Sequence, residues 1–118
     1  MKKLFFILIL ISLNSYAQDT ITTARIKDYI GKEVWVKGSI ASVKLATTEN
    51  NVNYINVDKA FPNNVFTVVI TDKYLQRLKL KLEKSEGNKI FVKGTITVHG
   101  KDKNETPQIF NPTQIQIK

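Results

Sequence analysis

Two ten-residue phrases constrain the fold of this chain more than any other feature. Gly31 to Ile40 reads GKEVWVKGSI, and Gly87 to Ile96 reads GNKIFVKGTI. In the first, Val34, Val36, Gly38 and Ile40 alternate with Trp35, Lys37 and Ser39. In the second, Ile90, Val92, Gly94 and Ile96 alternate with Phe91, Lys93 and Thr95. A period of two over that length predicts half-buried β-strands. A glycine inside a strand weakens it unless the backbone bends or bulges there. Gly38 and Gly94 therefore predict two strands that bend at matching places, as a small, tightly coiled barrel requires.

The first residues read differently. MKKLFFILILISLNSYAQ has a positive start at Lys2 and Lys3, an apolar run from Leu4 to Leu13, and small residues at Ser15 and Ala17. This is the pattern of a bacterial secretory signal peptide over 1–17, cut before Gln18. Its apolar run is too short to span a bilayer, so no permanent membrane anchor is expected. The mature protein is expected to be exported, to the periplasm or the medium. With no cysteine in the chain there are no disulfides, and the core alone must stabilise the fold. Loss of seventeen residues from 118 leaves 101, enough for one domain. Loss of two lysines takes the net charge from +8 to +6. That balance favours polyanions or anionic surfaces without selecting one.

Along the mature chain, 18–29 reads as a polar lead-in and a short helix, with Thr22 or Thr23 as its cap and Gly31 as its stop. Strand one is predicted over about Glu33 to Lys44, long enough to serve two sheets. LATTENN (45–51) is a loop. Strand two covers about Val52 to Val57, and DKAFPNN (58–64) is a connection. Phe61 is either a lid over the barrel mouth or part of the core, and the core is favoured because a proline holds the turn after it. Strand three spans Val65 to Thr71. Asp72 then reads as the cap of a helix over Lys73 to Glu83, with Leu75, Leu78 and Leu82 on one stripe; LKLKL within it would equally suit a strand. Strand four is Lys89 to His99. Strand five follows Pro107 as Gln108-Ile109-Phe110 and resumes at Gln114 after a break at Asn111-Pro112.

Three strands, a helix and two strands, with a bent first strand, is the order of a five-stranded Greek-key OB-fold barrel. GKEVWVKGSI, YINVDKAFPNNVFTVVI, GNKIFVKGTITVHG and PQIFNPTQIQI together resemble OB-fold modules of the nucleic-acid-binding type. Such modules occur alone in exported bacterial proteins and appended to secreted nucleases. The resemblance covers about Ile30 to Ile117, within an OB-fold domain of 30–118, and implies a mainly β barrel with a helix between strands three and four. One departure is Lys103-Asn104-Glu105-Thr106, where a Gly-Lys directly before Pro-Gln-Ile would be usual. Glu105 puts a carboxylate in a loop that would otherwise meet phosphate.

An OB-fold binds across strands two and three, helped by strand one and by the loops after strands one and four. On those elements Trp35, Lys37, Tyr54, Asn56 and Thr67 are predicted to face outward. Single-strand binding asks for aromatic faces and cations. Trp35, Tyr54 and Phe91 with Lys37, Lys59 and Lys93 meet that demand by type, and Lys101 and Lys103 stand in the loop after strand four. A competing assignment pairs Trp35 with Phe91 across strands one and four as packing.

Catalysis has little to build on. His99 is the only histidine, so neither a histidine metal pair nor a Ser-His-Asp set can form. Asp58, Asp72 and Asp102 stand in separate connections, and no glycine loop for phosphates is present. The expected activity is a non-catalytic binding module for single-stranded nucleic acid or another polyanion, with no cofactor and no metal. The alternatives are a periplasmic stress or envelope protein that binds a small ligand or cation, and a protein-interaction module.

Overall fold

The computed structural model describes residues 20–99 and 105–118, so the expected leader over 1–17, Gln18, Lys101 and Lys103 lie outside the described residues. The chain is mainly β: a sheet that curls into a half-barrel, with two short helices. Its elements are β1 (Thr20–Thr22), a 3-10 helix (Thr23–Tyr29), β2 (Glu33–Lys44), β3 (Val52–Val57), β4 (Phe66–Thr71), α1 (Asp72–Leu78), β5 (Lys89–Thr95), β6 (Thr97–Val98), β7 (Pro107–Phe110) and β8 (Gln114–Ile117).

β2 is shared by both parts of the sheet. Its first part, Glu33 to Ser39, runs antiparallel to β5 and parallel to β1. Its last part, Ile40 to Lys44, runs antiparallel to β3. The order along the sheet is β6-β7-β4-β3-β2-β5-β8, with β1 beside β2. β7 and β8 are the two halves of the predicted fifth strand. Asn111 and Pro112 break it, so β7 pairs with β4 while β8 pairs with β5. Asn111 takes a left-handed φ of 45°. Its side-chain oxygen accepts from Thr71 N at 3.0 Å, and Tyr74 Oη donates to Pro112 O at 2.6 Å, which ties α1 to the break.

The inward rows are the alternating apolar residues of the two phrases. Val36, Ile40, Ile90, Val92 and Ile96 are buried with Ile55, Val57, Phe66, Val68, Ile70 and Ile109. Ile21 and Ile26 close one end. At about 25 cal/mol per Å² of apolar surface removed from water, this cluster is the main source of stability for a chain without disulfides.

Five details differ from the sequence expectations. The lead-in contains a strand: Ile21 is buried opposite Val36, and three residues suffice because β2 supplies the template. The predicted long helix stops at Leu78, because Lys79 adopts a left-handed conformation (φ 55°) that closes α1; its cap is Thr71, whose side chain accepts from Tyr74 N, and not Asp72. Leu82 is buried from the irregular segment that follows, outside any helix. The predicted fourth strand divides into β5 and β6 at Ile96.

The last difference concerns the glycines. The irregularity in β2 falls between Ile40 and Ser42, beyond Gly38. Gly38 and Gly94 are required by close approach: a Cβ at Gly38 would lie 2.5 Å from Val57 Cγ1, and one at Gly94 would lie 2.5 Å from Ile109 Cγ2. Each glycine lets a second strand cross directly over it.

Candidate nucleic-acid interface

The bulge after Ile40 reverses the parity of β2. Before it, the odd-numbered residues Trp35 and Lys37 lie opposite Lys93 and Phe91 of β5. After it, the even-numbered Ser42 and Lys44 lie opposite Asn56 and Tyr54 of β3. Directly opposed residues share a face of the sheet. The outer surface therefore carries two cross-strand rows beyond the bulge. One runs Ser42, Asn56, Thr67, Gln108; the other runs Lys44, Tyr54, Val69, Phe110.

The first row is a hydrogen-bonded floor. Asn56 Nδ2 donates to Ser42 Oγ at 2.9 Å, Thr67 Oγ1 donates to Asn56 Oδ1 at 3.0 Å, and Asn64 Nδ2 donates to Thr67 Oγ1. Asn56 and Thr67 are buried. Burying such groups without partners costs about 1–3 kcal/mol each, and the chain of bonds avoids that. At the far end Asn53, also buried, accepts from Ala46 N and donates to Ile70 O, which fixes the start of the 45–51 loop.

Above this floor is a groove of about 580 Å³, walled by Lys44, Tyr54, Phe61, His99, Glu105 and Gln108. Phe61 is not core as expected. It is 76% exposed, because the 58–64 connection carries it away from the interior. Phe110 is also mostly exposed, at the end of the second row. Among the described residues the groove walls hold one cation, Lys44, and one carboxylate, Glu105.

The predicted site residues thus fall into separate places. Tyr54, Asn56 and Thr67 meet at the groove, with Tyr54 on its wall and the other two in its floor. Lys59 is exposed in the β3–β4 connection, outside the groove wall. Its neighbour Asp58 clamps that connection: it accepts from Ser39 N at 2.9 Å and from the Thr23 hydroxyl, at a φ of 69°. Trp35, Lys37, Phe91 and Lys93 lie together on the other part of the sheet. Trp35 and Phe91 border a shallow hollow there with Gln114, Gln116 and Lys118. Lys118 Nζ sits 5.4 Å from the Phe91 ring centre. Ser42, Lys44, Phe110 and Gln108 were not anticipated, and for Phe61 the core was favoured over a lid. The signal for the first two was Val43, an apolar residue out of phase with Ile40.

Among the described residues no three acidic, histidine or cysteine side chains group as metal ligands would. No family model matches the chain, and no curated protein matches it. Solved structures do. An OBody bound to hen egg-white lysozyme is similar with a TM-score of 0.60 at 20% identity, over 84% of this chain and 92% of that one. A putative aspartyl-tRNA synthetase from Leishmania major Friedlin is similar with a TM-score of 0.59 at 6% identity, over 83% of this chain and 20% of that one. The asparaginyl-tRNA synthetase of Entamoeba histolytica gives a TM-score of 0.57 at 16% identity, over 83% of this chain and 23% of that one. The chain spans about a fifth of each synthetase. At these identities the likeness concerns the fold, which is of OB type.

Proposed function

We propose that this chain is a non-catalytic binding module that takes a short length of single-stranded nucleic acid in the groove across β3 and β4. The observation that carries this is the pairing of two solvent-facing rings, Tyr54 and Phe61, with a hydrogen-bonded polar floor. Rings offer stacking to any base, and fixed polar groups offer hydrogen bonds to base edges. Neighbours of OB type that belong to tRNA synthetases support the reading at the level of fold. In this proposal β5 with β6, and β7 with β8, act as the fourth and fifth strands of a Greek-key barrel. The leader 1–17 directs export, and the mature chain starts near Gln18.

A tetranucleotide tests this, since about four nucleotides is the smallest OB-fold site. Tyr54→Ala and Phe61→Ala should each weaken its binding by about 1–3 kcal/mol, measured by calorimetry at low salt. Wild-type affinity retained in both variants would remove the groove from consideration. One observation favours a second reading, a protein partner: Tyr54, Val69 and Phe110 form an apolar row beside Phe61, and the similar OBody is bound to a protein. No tetranucleotide binding at all would favour that partner.

A further inference from the structure

Among the described residues the groove is lined by one lysine and one carboxylate, while the chain as a whole carries a net charge of +8. Four of its lysines stand on the outer face of β2, β5 and β8. Row by row, Trp35 lies opposite Lys93, Lys37 lies opposite Phe91, and Lys89 and Lys118 exchange backbone hydrogen bonds at the next step. Aromatic and cation change places between adjacent rows. Rows are about 7 Å apart along a strand and strands about 4.8 Å apart, so the four lysines stand on a patch roughly 13 Å across. Neighbouring lysines within it are about 5–8 Å apart, inside the Debye length of about 8–10 Å at physiological salt, so the fields of neighbours add. One carboxylate, Glu33, answers Lys93 at 3.9 Å.

The face carries only a shallow hollow, and its rings are partly committed. Phe91 is covered by Lys118 Nζ, and Trp35 is half-buried beside β1. Such a surface suits a charged backbone better than splayed bases. It is also continuous with the groove, because β2 runs from one to the other through the bulge.

We propose that this face is a second contact surface, which holds the phosphate backbone of a single strand whose bases occupy the groove. The inference rests on the nucleic-acid reading of the groove and adds four lysines to the one that lines the groove among the described residues. The ligand is then a strand longer than the groove accommodates. Its affinity has two separable parts: stacking in the groove, and counterion release on the face.

The experiment compares a tetranucleotide with a strand of about 20 nucleotides, longer than the largest OB-fold site, on the mature protein across a salt series. Each neutralised phosphate contributes a slope of about −0.7 on the log–log plot. The longer strand should be steeper by about 2, for Lys37, Lys89 and Lys118. The triple variant Lys37→Gln, Lys89→Gln, Lys118→Gln should lose that increment and keep wild-type affinity for the tetranucleotide. Trp35, the only tryptophan, should change its emission with the long strand and not with the short one. A thermal melt checks that the variant folds.

Tyr54→Ala should weaken both ligands roughly tenfold or more and leave the slope difference intact. An unchanged long-strand slope in the triple variant overturns the proposal, even where Tyr54→Ala upholds the groove. Equal Trp35 responses to both ligands overturn it too. A flattened slope with no effect of Tyr54→Ala supports the face and overturns the groove.

Discussion

Glu33–Ser39 and Ser42–Lys44 belong to one strand, yet they build opposite kinds of surface. The first part presents Trp35 and Lys37 beside Phe91, Lys93 and Lys118: shallow, basic and open. The second presents Ser42 and Lys44 beside Asn56, Tyr54 and Thr67: concave, hydrogen-bonded and, among the described residues, lined by one lysine and one carboxylate. One register shift between Ile40 and Ser42 separates them. In a strand, side chains alternate, so a single extra residue sends every later one to the other face. A polar surface and a charged surface can thus share one backbone without sharing neighbours.

The largest effect is expected where the two parts of the sheet cross. Gly38→Val and Gly94→Val would force a Cβ within 2.5 Å of Val57 or Ile109, both buried. Overpacking of this kind costs about 1–3 kcal/mol, and the valine methyl groups place these two at the upper end. Gly87→Ala is the control. Its Cβ meets nothing within 4 Å, but its φ of 90° is strained for alanine, so a loss of about 1 kcal/mol is expected. Denaturant melts rank the three. Equal losses would show that strain in the backbone, and not contact between strands, makes the glycines necessary.

A smaller effect separates the two surfaces themselves. Thr67→Val keeps shape but removes the donor to Asn56 and the acceptor for Asn64. With Asn56 buried, about 1–3 kcal/mol of stability should be lost. Gln116→Ala makes a comparable polar deletion on the open face, where Gln116 is exposed, and should stay within about 0.5 kcal/mol. Equal losses at both would mean that the groove floor is no more preorganised than the lysine face.

Much of this was legible in the residues, and the gaps have identifiable causes. β2 and β3 have the bounds that alternation predicted, because period two over six to twelve residues leaves little ambiguity. The break at Asn111-Pro112 was legible because proline cannot donate to a ladder. The bulge was not, since Ile40-Ala41-Ser42-Val43 hides its phase change in one small residue. Nor was the end of α1, where a lysine takes the left-handed conformation that glycine usually marks. Trp35 and Tyr54 were placed in a single site because strand one was expected to help the binding face as a whole, whereas its first part pairs with β5 and only its last part with β3. Phe61 was misassigned because a turn proline says where the chain reverses and not which way the preceding ring points.

The smallest expected effect is the sharpest test of the charge difference between the two surfaces. Lys93 and Glu33 approach to 3.9 Å, with side chains 33% and 52% exposed. A pair so exposed contributes at most about 0.5 kcal/mol, because solvent screens it and both chains lose freedom in forming it. Glu33→Gln should therefore leave the melting temperature nearly unchanged. It should still release Lys93 from its only carboxylate neighbour on that face among the described residues. If the face holds phosphate, the salt slope for a strand of about 20 nucleotides should steepen by about 0.7, one more phosphate neutralised. The tetranucleotide should be indifferent, since Glu33 is on the other side of the bulge from the groove. Glu105→Gln is the reciprocal change: removing the groove carboxylate should strengthen the tetranucleotide and leave Trp35 emission untouched. A response of both ligands to both variants would mean that the two surfaces form one electrostatic site, and that the bulge divides the side chains without dividing the field.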